Sequence, residues 1–132
     1  MLDDDEKPPR IAPKLKAAPK IRQVYWCNFH KDAQLPEFWK LRPVIIVSYK
    51  NTLYGTVTII PCTTQKPKDL DYSLQLGTEI VVGKQSWAIC DKITTLAVSR
   101  LEQTKNGIIK LPENEFNEAM KLVYKWLPKV YL

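Results

Sequence analysis

Hydrophobic and polar positions change their pattern twice along the chain of 132 residues. Up to about residue 20, apolar side chains occur singly or in pairs among prolines and charges. From Ile21 onward, short β-branched and aromatic runs alternate with turn residues, which is the signature of closely spaced strands. The runs are 24–29 (VYWCNF), 43–49 (PVIIVSY), 56–60 (TVTII), 72–76, 79–82, 87–90 and 108–111. The second is nearly continuous in apolar residues, as a strand buried on both faces would be. A turn is expected at 51–55, and Asn106-Gly107 is a tight-turn signal before the last run. Only residues 112–127 show a helical period, with Phe116, Met120, Val123 and Leu127 on one stripe that Ala119, Leu122 and Trp126 widen. Pro112 suits the first helical position, Glu113 and Glu115 the positive end of the dipole, and Lys121 and Lys125 its negative end. Pro128 stops the helix. Many short strands with no intervening helix predict a mainly β, α+β domain: a small antiparallel barrel or sandwich with a C-terminal α-helix.

The first 20 residues hold Pro8, Pro9, Pro13 and Pro19 and no aromatic residue, so they are expected to form a mobile N-terminal arm ahead of one domain spanning 21–132. The arm nets +1 of the formal +6 charge, so +5 belongs to the body. A basic body suits an anionic partner but specifies no fold. The three cysteines, Cys27, Cys62 and Cys90, are widely spaced and only one histidine, His30, is present. That composition speaks against a disulfide framework and a zinc site, and a cytoplasmic protein is the expectation. No apolar run reaches the length of a membrane span, and no metal or other cofactor is expected.

With four glycines and no glycine-rich phosphate loop or Gly-x-Ser-x-Gly elbow, two other segments hold the candidate chemistry. Arg42 precedes a strongly hydrophobic strand. Thr63, Thr64 and Gln65 end the next, and Lys66 and Lys68 follow. If the strands are neighbours, a planar guanidinium, hydroxyls and ammonium groups converge, a set suited to a phosphodiester. The alternative from the residues alone is an Arg42–Glu37 pair on a loop and threonines that merely close a strand.

Arg42-Pro43-Val44-Ile45-Ile46-Val47, then Pro61-Cys62-Thr63-Thr64-Gln65, then Cys90-Asp91-Lys92-Ile93 resemble, in order and spacing, the signature segments of the MazF/PemK toxins of bacterial type II toxin–antitoxin modules. The resemblance runs from about Arg22 through Leu101, with the closing helix also in place. It implies an SH3-like, strongly bent antiparallel barrel with a C-terminal helix, usually a homodimer. It further implies a metal-independent endoribonuclease on single-stranded RNA, countered by a cognate antitoxin. In that chemistry the RNA 2′-hydroxyl attacks the adjacent phosphorus, leaving a 2′,3′-cyclic phosphate and a 5′-hydroxyl. The nucleophile belongs to the substrate, so the protein positions it, handles protons and stabilises the phosphorane. By motif, Arg42 corresponds to the catalytic arginine and Thr63 to the catalytic hydroxyl. Glu37 corresponds to a loop acid, with two roles open: general base, or positioning of Arg42. Asp91 matches an acidic position that binds or orients RNA.

The chain departs from the family pattern at Pro36, where some relatives have a histidine, at Lys92 in place of a glutamine, and at Ile89 in place of an arginine. Trp39 and Phe38, flanked by Lys31 and Lys40, are candidates for stacking on bases; capping of the barrel is the other reading of Trp39. Thr64, Gln65, Lys66 and Lys68 are candidate RNA contacts. A rival of another class is a CcdB-like gyrase poison that acts by binding, because residues 83–87 (GKQSW) resemble a segment of that sister toxin; a catalytically inactive relative is a third. The Arg42-Pro43 and Thr63-Thr64 pairs are what a gyrase-binding protein does not need.

Overall fold

The structure, a computed structural model, describes residues 7–29, 33–105 and 107–130. His30, Lys31 and Asn106 lie outside the described residues. The elements in chain order are β1 (Gln23–Asn28), β2 (Leu41–Ile46), β3 (Thr56–Thr63), β4 (Ser73–Leu76), β5 (Ser86–Ile89), β6 (Thr94–Ala97), β7 (Leu101–Glu102), β8 (Ile109–Lys110) and α1 (Glu113–Trp126). All strand pairings among them are antiparallel.

The sheet is organised by β3 and β1, which each have one long partner and two short ones. β2 lies along one edge of β3, while β6 occupies the first half of its other edge (Thr56 to Ile59) and β5 the second (Cys62, Thr63). β1 likewise pairs with β2 on one side and with β7 and β8 on the other. Successive short partners leaving one long strand bend the sheet. Among the described residues the pairing path ends at β4 and at β7, so the expected bent barrel is a bent sheet that does not close.

Two prolines shape its centre. The bond from Val47 N to Thr58 O, 3.0 Å, fixes which β2 amides face β3. By alternation that set includes residue 43, and Pro43 has no N–H to offer. The β2–β3 ladder accordingly stops at Val44 opposite Pro61, leaving the strand ends that carry Arg42 and Thr63 unzipped. Pro61 faces the other edge, at the changeover from β6 to β5, where no ladder bond is lost.

Alternation along the strands makes two cores. Val24, Ile45, Ile60 and Cys62 face Phe116, Ala119 and Val123 of α1. Tyr25, Cys27, Val44, Ile46 and Ile59 face Leu15, Val98 and Leu101. Pro112 is the N-cap of α1 and not its first turn. Glu115, in that first turn, accepts from the amides of Gly77 and Thr78 and from the Thr78 hydroxyl. This clamp diverts the chain where a strand over 79–82 is expected; those residues form a turn that buries Ile80 and ends at Gly83 with φ +74°. Conversely, β6 and β7 are strands the pattern did not signal, and β3 runs three residues past its predicted end.

The proline-rich N-terminal segment carries no regular secondary structure over 7–20, but it is tied to the body. Leu15 is buried in the second core, and Lys14 pairs with Glu102 at 2.6 Å. Asn51 Nδ2 donates to the Pro19 carbonyl at 3.0 Å. No helix among the described residues is long and apolar enough to cross a membrane.

Candidate active-site cleft

A cleft of about 650 Å³ opens between the β1–β2 loop, Pro61 of β3 and the segment 91–94; Arg42 and Thr63 are not among its lining residues. Phe29, Glu37 and Phe38 supply one wall, Pro61 and Thr94 the sheet side, and Asp91 and Lys92 the opposite wall. Thr94 reaches it because β6 pairs it with Ile59, on the same face as Pro61 two residues on. Asp91 reaches it from a 3-10 turn, Cys90–Lys92, that follows β5.

Arg42 stands beside this cleft. Its Nε donates to the Trp39 carbonyl at 3.1 Å, and its guanidinium carbon lies 4.9 Å from the Phe38 ring centre. These contacts orient the fork and leave its terminal N–H groups without an acceptor among the described residues. Partial burial lowers the guanidinium pKa from its usual value, by desolvation of the charged form.

The β2–β3 register, continued two residues past Val44–Pro61, brings Arg42 opposite Thr63 on one face of the sheet. On its other side Thr63 pairs with Trp87 of β5, so Trp87 is a half-buried strand residue. The Thr63 hydroxyl oxygen accepts from the Gln65 amide at 3.2 Å, which leaves its own proton to donate elsewhere. Glu37 is not paired with Arg42: its Oε1 accepts from the Gln34 amide at 2.7 Å within the loop. The loop-pair reading of Arg42 is thereby set aside.

The other sequence-derived candidates are more dispersed. Trp39 is half-exposed with Lys40 Nζ 5.0 Å above its ring, and it does not line the cleft. Gln65, Lys66 and Lys68 run out on an exposed turn beyond β3, and Thr64 is half-buried. Sequence reasoning missed Gln34, Phe29 and Thr94. The signal for Thr94 in the sequence is the β-branched Thr94-Thr95 pair, too short a run to predict a strand by itself. Among the described residues no three His, Cys, Asp or Glu side chains gather as a metal-donor set.

These features define a class: a small α+β protein with an arginine and a threonine hydroxyl at the frayed centre of a bent antiparallel sheet. The PemK-like, MazF-like toxins of type II toxin–antitoxin systems, taken as a family, match residues 20–127, and the chain belongs to that family. Among solved structures it is similar to MazF from Deinococcus radiodurans, with a TM-score of 0.67 and 20% identity over 82% of this chain and 94% of that one. It is also similar to an endoribonuclease from a mycobacterial species (TM-score 0.61, 19% identity, 83% and 90% covered). A mycobacterial endoribonuclease in complex with its cognate antitoxin superimposes with a TM-score of 0.61 and 20% identity, over 86% of this chain and all of that one (100%). Compared by sequence alone, no curated protein matches. The rival resemblance to the gyrase-binding toxin concerned residues 83–87, which here form the turn and strand that hold Thr63 from its outer edge.

Proposed function

We propose that the protein is the toxin of a toxin–antitoxin pair and acts as a metal-independent endoribonuclease on single-stranded RNA. The observation that carries this reading is the Arg42 guanidinium, whose terminal N–H groups meet no acceptor among the described residues, at the same strand ends as a donor-ready Thr63 hydroxyl. In the reaction the 2′-oxygen forms a bond to phosphorus and gives up its proton, and the bond from phosphorus to the 5′-oxygen breaks as that oxygen gains one. The products are a 2′,3′-cyclic phosphate and a 5′-hydroxyl. Arg42 stabilises the negative charge that grows on the phosphorane and donates the proton that the leaving oxygen gains. Thr63 donates to a non-bridging oxygen. Glu37, at the cleft wall and unpaired with Arg42, takes the 2′-proton. Asp91 orients the RNA from the opposite wall, while Trp39, Thr64, Gln65, Lys66 and Lys68 contact it beyond the cleft.

Purified protein is expected to cut single-stranded RNA in excess EDTA, and Arg42→Ala to abolish the cut; a lasting demand for Mg²⁺ would refute the mechanism. We further propose a homodimer, read out by sedimentation, and a cognate antitoxin that covers the RNA groove with an acidic, partly disordered segment. Toxin–antitoxin binding that ignored ionic strength would count against that mode.

A further inference from the structure

The cleft poses an electrostatic difficulty for a polyanion. Its charged lining residues are Glu37, Asp91 and Lys92, a net of −1, so Lys92 is the one cation its lining offers to the phosphates on either side of the reacting one. The chain supplies cations nearby. Residues 7–20 contain Lys7, Arg10, Lys14, Lys16 and Lys20 and no acid. Leu15 anchors this strap in the same core cluster as Phe29 and Phe38, two residues of the cleft wall.

A groove of about 420 Å³ runs between the strap and the sheet, with Ile11 and Lys14 on one side and Asn28, Thr95 and Arg100 on the other. Asn28 and Thr95 are chain neighbours of Phe29 and Thr94 in the cleft, so the groove adjoins the cleft, although the two share no lining residue. Arg100 is held there by its bond to the Asn28 carbonyl, 3.2 Å. A second groove of about 260 Å³ shares Ile11 and Ala97 with the first and leads on to Arg10 and Tyr54. Tyr54 is 70% exposed, a surface on which a base can stack.

We propose that the strap and Arg100 extend the cleft into a trough that binds the phosphates of single-stranded RNA flanking the scissile step. The proposal rests on the ribonuclease reading and deepens it: Arg42, Thr63 and Glu37 carry the chemistry, while the strap adds positive field to a cleft whose lining nets −1. The trough is long and sequence-blind, because guanidinium and ammonium groups contact phosphate and not base edges. Affinity therefore depends on RNA length as well as on the cleaved sequence.

The test compares the full chain with the double variant R10Q/K14Q and with E102Q. The binding probes are fluorescent 2′-O-methyl RNA pools of 5 and 20 nucleotides, which cannot be cut. Removing two phosphate contacts reduces the slope of log affinity against log salt by about 1.4, roughly 25-fold weaker binding at 0.1 M relative to 1 M. That loss is expected for the 20-mers in R10Q/K14Q and not for the 5-mers. E102Q breaks the same Lys14 ion pair but keeps both cations, so it is expected to bind the 20-mers at least as well as the unaltered chain. Equal losses in R10Q/K14Q and E102Q would make the strap a packing element only and overturn the proposal. So would unchanged RNA binding accompanied by loss of polyglutamate binding, which would assign the trough to an acidic protein partner. Unmodified pools separate the two layers of the argument. An unaltered chain that cuts neither pool defeats the ribonuclease reading and this proposal with it; one that cuts both, with R10Q/K14Q binding like the unaltered chain, defeats the trough alone.

Discussion

Arg42 owes its position to what its neighbours cannot do. Pro43 cannot donate to β3, so the β2–β3 ladder ends at Val44–Pro61 and Arg42 is freed from β3 while β1 still holds it opposite Cys27. The Trp39 carbonyl and the Phe38 ring then restrict a side chain that would otherwise carry about 2 kcal/mol of rotamer entropy. A lysine in this place keeps the charge and loses both the planar fork and the ring contact. Arg42→Lys is therefore expected to lower kcat for RNA cleavage by about 100-fold or more with KM nearly unchanged, as measured by steady-state kinetics. A KM increase at constant kcat would reassign Arg42 to ground-state binding. The residue type and its place before a strand were legible in the sequence. That Glu37 pairs with the Gln34 amide and not with Arg42 was not, because both partners were within reach along the chain and only the loop's folding chose between them.

At the scale of elements, the sheet's runs and the helix followed from period-2 and period-3.6 patterning, and the misreadings have identifiable causes. Residues 79–82 have strand composition, yet the Glu115 carboxylate fixes Gly77 and Thr78 from another element and turns the chain away. β6 begins with two exposed threonines and β7 is two residues long, so neither had enough apolar alternation to register. The clamp gives a direct test. Glu115→Ala leaves two amides and a hydroxyl without their acceptor and is expected to cost about 1–3 kcal/mol in urea unfolding. The loss should be accompanied by faster hydrogen exchange at Gly77 and Thr78. Unchanged exchange at those two amides would show that water replaces the carboxylate without loss of order.

At the scale of the whole molecule, three cysteines become a single property. Cys27, Cys62 and Cys90 are fully buried, and burial raises each thiol from an ordinary value of 9.0, Cys27 and Cys90 to about 12 and Cys62 upward as well. Unfolded thiols ionise near pH 9 while the folded ones stay protonated, so their contribution to stability is complete below pH 9 and is lost as pH rises toward 12. Stability should then fall by up to about 1.4 kcal/mol per pH unit per thiol above pH 9. Urea midpoints between pH 8 and 11 measure the slope, and Cys27→Ala should reduce the thiol part of it by about a third. A slope that Cys27→Ala leaves untouched would locate the alkaline sensitivity in other groups. The sequence by itself determined the β-rich body, the closing helix, the basic balance and the motif residues Arg42 and Thr63, because periodicity, turn chemistry and residue type are local quantities. Only the tertiary structure decided that the sheet stays open, that the proline-rich segment is strapped to it by Leu15, and that the cleft lining holds two acids beside one lysine while further cations lie on the strap. Those outcomes depend on which distant residues share a face, and that is set by register and packing between segments far apart in the chain.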